Sequence, residues 1–259
     1  MSQFHSLTIK QVRNETRDAV SISFDVPEHL QAQFRFTQGQ YLVMRTQLDN
    51  EEVRRSYSIC SAVQDGELRV AVKRVPGGRF SAFANEVLKA GQQLEVMPPA
   101  GSFFVPLDAA RQGNYLGVAA GSGITPILSI IGTTLDSEPH SRFTLLYGNR
   151  SSSGALFRDK LEDLKNRYLD RLNLIFVFSR EQQDVDLYNG RIDADKCGQL
   201  FSRWLDVPGL DAAFICGPQA MTETVRDSLQ ANGLGKERIH FELFAAAGKD
   251  FDQLSAAAK

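Results

Sequence analysis

Cysteine is scarce in this 259-residue chain, with only Cys60, Cys197 and Cys216, widely spaced. An odd number at such spacing excludes a disulfide framework and provides no iron-sulfur or zinc ligand set. Histidine is equally sparse: His5, His29, His140 and His240 lie far apart and form no metal-ligand spacing. No apolar run approaches the roughly 18 to 20 residues that span a bilayer. Residues 1–10 lack the basic start and apolar stretch of a secretory signal, so a cytoplasmic location with no membrane partner is expected. Strong charge of one sign is absent too. A net charge of -2, with 23% charged and 42% hydrophobic residues, is that of an ordinary globular chain and gives no reason to expect nucleic acid as partner.

What is present divides into two patterns with no internal repeat. Residues 7–12, 19–26, 41–46, 56–59, 68–74 and 93–97 read as short strands with alternating apolar positions, separated by breakers such as Gly39, Gly66, Gly77, Gly78, Gly91 and Pro98. Many short strands at this spacing predict a closed antiparallel β-barrel. Beyond Gly113, strands at 115–120, 142–147, 172–178 and 212–216 alternate with helices at 126–134, 154–165, 196–205 and 220–232. That alternation predicts a doubly wound α/β domain on a parallel sheet. The expected organisation is a barrel domain over 1–110 and an α/β domain over 111–245, changing over within 108–113, then an Ala-rich tail or linker at 246–259.

Each pattern carries a candidate constellation. In Arg55-Ser56-Tyr57-Ser58, strand alternation sends Arg55 and Tyr57 to one face and the serines to the other. A cation, a flat ring and a hydroxyl are what a flavin requires for its phosphates, its ring system and its N5. Read blandly, the same tetrapeptide is an ordinary barrel strand. Further on, Val72-Lys73-Arg74-Val75 leads into Gly77-Gly78-Arg79-Phe80-Ser81 and a helix over 81–88. Glycines before a helix start let backbone N–H groups approach a phosphate. Alone, the glycine pair is equally a hairpin turn.

In the second domain, the first strand runs directly into Gly121-Ser122-Gly123-Ile124-Thr125-Pro126 and a helix. This is the context of a dinucleotide loop, although Pro126 stands where the third glycine of Gly-x-Gly-x-x-Gly would be. Ser179-Arg180-Glu181 ends the third strand with Tyr188 soon after, suited to the adenosine end of a dinucleotide or otherwise a solvated loop. Cys216-Gly217-Pro218 ends the fourth, and Met221 follows in the next helix. A neutral thiol there would border a nicotinamide, unless it is simply a small buried hydrophobe.

Together, Arg55-x-Tyr57-Ser58, Gly77-Gly78-x-x-Ser81, Gly121-x-Gly123-x-x-Pro126 and Cys216-Gly217-Pro218 resemble the ferredoxin-NADP reductase superfamily in order and placement, over nearly the whole chain. The resemblance implies an FAD-binding barrel, an NAD(P)-binding α/β domain and hydride transfer between the two cofactors. It implies that Arg55, Ser56, Tyr57, Ser58, the backbone of Val72, Lys73 and Val75, and Gly78, Arg79, Phe80 and Ser81 hold FAD. Gly121, Ser122, Gly123, Thr125, Asn149, Arg150, Ser179, Arg180, Tyr188, Cys216, Gly217, Pro218 and Met221 would hold NAD(P). Ser58, Cys216 and Glu242 become the catalytic candidates. Glu242-Leu243-Phe244 resembles the closing Glu-x-Tyr of the family, with Phe244 in place of the tyrosine that covers the flavin.

Residues 4–8, 15–20, 54–60, 189–193 and 213–218 are similar, more narrowly, to the reductase family of bacterial phenylacetyl-CoA epoxidases, which implies a role in phenylacetate degradation. Members of that family continue into a [2Fe-2S] ferredoxin domain, and this sequence contains no Cys-x4-Cys-x2-Cys. The implied partner is therefore a [2Fe-2S] ferredoxin, or a fused ferredoxin domain missing from this chain, together with oxygenase subunits. Ser179, Arg180 and Tyr188 favour NADPH over NADH, whereas Asp186 stands where a lysine often helps. Two other readings stay open: a stand-alone NAD(P)H:flavin or ferredoxin reductase, and a non-catalytic nucleotide-binding sensor or assembly subunit.

Overall fold

Alternating apolar residues build the first sheet of the computed structural model, which describes residues 3–244; the expected tail at 246–259 lies outside them. β1 (His5–Thr16) and β2 (Ala19–Asp25) pair antiparallel, with Ile9 opposite Phe24 and Val12 opposite Ile22. β3 (Tyr41–Leu48) and β4 (Glu51–Ser58) form a second hairpin through Asp49 and Asn50. Both turn residues have positive φ, 52° and 62°, the twist that a two-residue hairpin needs and that Asp and Asn tolerate. β5 (Leu68–Lys73), α1 (Arg79–Glu86) and β6 (Gln93–Val96) complete the unit, in the strand order β4-β3-β6-β1-β2-β5. Beyond β4, Ile59 bridges Val70 and the Cys60 N–H donates to the Arg69 carbonyl at 2.9 Å, so the two ends of the sheet meet as a barrel. Leu7, Ile22, Leu42, Met44, Val70 and Val72 fill the interior, and α1 adds Phe80 and Ala84. Each of these side chains larger than alanine contributes roughly 1.5–3 kcal/mol by leaving water.

The second sheet is parallel throughout. β7 (Asn114–Ala120), α2 (Ile124–Ser137), β8 (Arg142–Asn149), α3 (Arg158–Arg167) and β9 (Leu172–Phe178) lead to α4 (Ala194–Trp204), β10 (Ala212–Gly217), α5 (Gln219–Ala231) and β11 (Ile239–Leu243). The strand order is β11-β10-β7-β8-β9. β7 is apolar from Tyr115 to Ala120 because both of its faces are covered, and Leu116 and Val118 have no exposed surface. Going outward from β7, the chain order runs one way through β8 and β9 and the other way through β10 and β11. Sheets of this kind bind ligands at that switch, outside the carboxyl ends of the strands.

The chain divides into compact units at Ser102 and Phe103, the second running to Phe244. At the amino end of the parallel sheet, away from the switch, the fully buried Glu138 carboxylate accepts hydrogen bonds from the Tyr115 hydroxyl (2.8 Å), the Ser141 hydroxyl (2.6 Å) and the Asp108 N–H (3.0 Å). Arg111 lies 3.6 Å away. Every partner of this acid belongs to the strand bases and the segment entering β7, so its work is to fix that entry.

Candidate cofactor sites

In the barrel, β4 presents Arg55 to solvent and leaves Tyr57 half-buried. The Arg55 guanidinium donates to the Arg54 carbonyl at 2.6 Å and has no carboxylate partner among the described residues. Tyr57 leans on Phe80, ring centroids 5.5 Å apart and planes inclined by 32°. Burial pushes the Tyr57 hydroxyl well above its ordinary pKa, partly opposed by Arg55, so it stays protonated at neutral pH. Phe80 is itself buried and is braced by Phe83 at 6.2 Å, so it backs the tyrosine instead of offering a free face. Ser58 is buried, and the buried Ser56 hydroxyl oxygen has no hydrogen-bond partner among the described residues.

The loop from β5 to α1 is stapled by Ser81. Its hydroxyl accepts from the Val75 N–H (3.1 Å) and donates to the Gly78 carbonyl (3.0 Å), while the Gly78 N–H donates to the Val75 carbonyl (2.9 Å). A Cβ on Gly78 would stand 2.6 Å from the Ser81 oxygen, so glycine is needed for this closure. No side chain caps the N-terminus of α1, which leaves its first N–H groups open to an anion. The Arg79 guanidinium turns toward the β3–β4 hairpin, bonded to Glu51, the Leu48 carbonyl and Asp49. With its side chain held there, Arg79 would offer a phosphate at this loop only its backbone N–H at the helix start. Val72 is buried in the barrel, Val75 is exposed, and Lys73 pairs with Asp18 at 3.5 Å. An unpaired arginine, a braced tyrosine, an orphaned serine hydroxyl and an uncapped helix start fit the demands of FAD.

In the parallel sheet, Gly121 takes φ 55° directly after β7, and a Cβ there would meet nothing within 4 Å. Gly123 is the opposite case: a Cβ would overlap the Cys216 carbonyl and stand 2.9 Å from the Gly217 nitrogen. The first glycine makes the turn and keeps the space open; the second lets the loop pass against the end of β10. Thr125 donates to the Ser122 carbonyl at 3.0 Å, closing the loop from within. A residue with no motif signature holds it from below. The buried Tyr147 hydroxyl, on β8, donates to the Gly121 carbonyl at 3.0 Å. Neither α2 nor α5 has a side-chain cap at its start, so two helix N-termini flank the switch. Pro218 precedes α5, and the Met221 methyl packs where a Cβ on Gly217 would come within 2.7 Å. This open, uncapped loop fits a dinucleotide pyrophosphate.

Cys216 reaches the switch, but its side chain is wholly enclosed. Burial, and then the charge of Glu242, raise the thiol well above its ordinary pKa. Glu242 is its register partner on β11, and Ala119 its partner on β7. Phe244, just past β11, is 40% exposed.

Toward the far edge, the Ser179 N–H donates to the Asn149 carbonyl (3.0 Å) and the Arg180 N–H to the Arg150 carbonyl (2.9 Å), so these four expected contacts lie side by side. Tyr188 is positioned by Gln183 and Asn189, neither of them among the expected site residues. The Gln183 side chain donates to the Tyr188 carbonyl at 2.7 Å, and the Asn189 side chain accepts from the Gln183 N–H at 2.8 Å.

Residues 6–105 match the oxidoreductase FAD-binding domain and residues 118–227 the oxidoreductase NAD-binding domain. This chain belongs to the FAD- and NAD-binding oxidoreductases of the ferredoxin reductase type. Over 248 residues it is 50% identical to a component of the 1,2-phenylacetyl-CoA epoxidase of Escherichia coli (strain K12), covering 96% of this chain and 70% of that protein. It is also 32% identical to the ferredoxin reductase component of the 3-ketosteroid-9-alpha-monooxygenase of Rhodococcus rhodochrous, over 94% of this chain and 66% of that protein. A solved flavohem-like FAD/NAD binding domain of a nitric oxide dioxygenase from Vibrio cholerae superposes with a TM-score of 0.81 at 25% identity, covering 95% of this chain and all of that one.

Proposed function

We propose that this chain takes hydride from NADPH and delivers electrons to a [2Fe-2S] ferredoxin, or a ferredoxin domain, serving a multicomponent oxygenase of the phenylacetyl-CoA epoxidase kind. The observation that carries this reading is the 50% identity to the epoxidase component of Escherichia coli across 96% of the chain. Bound FAD supplies the conversion of a two-electron donor into one-electron delivery. The rest is the work of the chain. Arg55 and the open N–H groups of α1 balance the flavin phosphates. Tyr57, held by Phe80, offers a fixed ring for stacking, and Ser58 sets a hydroxyl beside the reacting edge.

On the donor side, the loop of Gly121, Ser122 and Gly123 receives the pyrophosphate at the start of α2, with Thr125, Gly217 and Pro218 shaping the nicotinamide end. Cys216 stays a neutral thiol and excludes water without competing as a nucleophile. Glu242, its register neighbour, holds a proton-exchanging group at the same sheet edge, with the exposed Phe244 ring just past the end of β11. Asn149, Arg150, Ser179, Arg180 and Tyr188 receive the adenosine end, where two arginines favour a 2'-phosphate. Lys196 adds a cation there, its ammonium 3.3 Å from the Asp186 carbonyl, beside the acid that would otherwise disfavour phosphate. The three cysteines are free and buried, as suits the reducing cytoplasm.

The test is acceptor choice. With NADPH and the flavin-loaded protein, a [2Fe-2S] ferredoxin is reduced faster than free FAD. Turnover confined to free FAD would replace this reading with that of a flavin reductase.

A further inference from the structure

The sheet edge that carries Arg150 and Arg180 also carries an acid, Glu181, and its placement is informative. In sheets of this type, an acidic residue at a strand end near the adenosine takes up the ribose 2'-hydroxyl and so selects a donor without a 2'-phosphate. Here Glu181 is committed elsewhere. One of its oxygens accepts both from the Ser152 N–H (2.8 Å) and from the Ser152 hydroxyl (2.9 Å). Ser152 lies in the loop after β8, two residues beyond Arg150, and Glu181 lies one residue beyond Arg180. The two loops are already joined by the Arg180 N–H donating to the Arg150 carbonyl, so the carboxylate is a second tie across the same pair.

Neither arginine has an ion-pair partner among the described residues, and both are exposed. Glu181 is the nearest acid in sequence to Arg180, and a carboxylate turned toward Arg180 would offset part of the charge that an anion needs. Two hydrogen bonds to a charged acceptor, one of them from the backbone, hold it on the serine loop instead.

We infer that Glu181 is a positioning residue that sets donor specificity. Latched to Ser152, it fixes the Arg150 loop against the Ser179–Arg180 turn and withholds its charge from the site, so that the edge accepts a phosphate dianion. This inference rests on the NADPH reading above.

The experiment uses the intact flavin-loaded protein with ferricyanide as electron acceptor, measuring kcat and KM for NADPH and for NADH in wild type, Ser152→Ala, Glu181→Gln and the double variant. Ser152→Ala removes the hydroxyl bond and leaves the charged carboxylate held by the backbone N–H of residue 152 alone, free to swing toward Arg180 part of the time, so the NADPH:NADH ratio of kcat/KM falls about three- to tenfold, the size of one weakened charge-assisted bond. The change appears in KM for NADPH, with kcat held. Glu181→Gln keeps an oxygen that accepts from the Ser152 N–H and lacks the charge, so it stays within about twofold of wild type. Added to Ser152→Ala, it restores the ratio, because no charge remains to be freed. Ser152→Gly serves as a second loop variant, with flavin content confirming the fold. An unchanged ratio in both serine variants overturns the latch, as does a shift of about tenfold or more in Glu181→Gln alone, which would put Glu181 on the ribose itself. Wild type that prefers NADH overturns the donor reading and this inference with it, whereas a flat series in a protein that prefers NADPH overturns the latch alone.

Discussion

Gly123 packs so closely under the Cys216 carbonyl that the dinucleotide loop and the end of β10 leave no room for a side chain between them. The obstacle is backbone, which cannot turn aside as a flexible side chain would. Gly123→Ala is therefore expected to cost about 1–3 kcal/mol and to displace the loop. Thermal unfolding and equilibrium binding of the dinucleotide should both show the loss, while FAD content, set in the other unit, stays at the wild-type level.

Tyr57 rests on Phe80, and Phe80 on Phe83, so the ring proposed to stack on the flavin is held by a chain of aromatic contacts. Tyr57→Ala removes the platform and should leave the purified protein deficient in FAD. Tyr57→Phe keeps the ring and most of the flavin. Equal flavin content in all three proteins would remove Tyr57 from this role.

Tyr147 supports the loop through one hydroxyl. Tyr147→Phe deletes the bond to Gly121 at nearly constant volume and leaves that half-buried carbonyl with the Ile124 N–H, at a cost of about 0.5–1.5 kcal/mol. A raised KM for the donor with flavin retention unchanged is the expected outcome.

The buried thiols give a pH test. The Cys216 thiol is raised above its unfolded value by burial and by Glu242, and Cys60 is raised by burial. Groups whose folded pKa lies above the unfolded one stabilise fully below the unfolded pKa and lose that contribution as pH rises beyond it. Thermal stability should thus decline on the alkaline side of the ordinary thiol range. At pH 8 the native protein should react with an aromatic disulfide reagent far more slowly than the denatured protein. Rapid native labelling of Cys216 would contradict its enclosure.

His240 behaves in the opposite sense. Its ring stacks on Phe214 at 5.4 Å and burial lowers its pKa. A depressed folded pKa stabilises above the unfolded histidine value, and that stability is lost as pH falls below it. The midpoint of thermal unfolding should drop between neutral pH and about pH 5, and His240→Gln should flatten that drop.

The fold was legible because each domain rests on a local pattern. Alternation marked the barrel strands, and buried runs marked β7 to β10. The β4 strand begins at Glu51, earlier than its apolar signal, since its first residues face solvent around the Asp49–Asn50 turn. β11 escaped notice because an edge strand with Phe241 45% exposed has no clear period. At the candidate sites, glycine, arginine and tyrosine motifs marked the loops and strand ends proposed to hold the cofactors. They did not show what holds those motifs. Tyr147 reads as core in an apolar strand, and its partner Gly121 is 26 residues away; Glu181 and Ser152 are 29 apart. Such pairs exist only once the strands are laid side by side.

The central claim is that a nicotinamide donor reduces flavin held by this chain. Anaerobic titration of the FAD-loaded protein, followed by visible absorption, tests it directly. The account predicts that one equivalent of NADPH bleaches the flavin band, and that NADH does so less effectively. A flavin band unchanged by either donor, or a protein that retains no FAD, would contradict it.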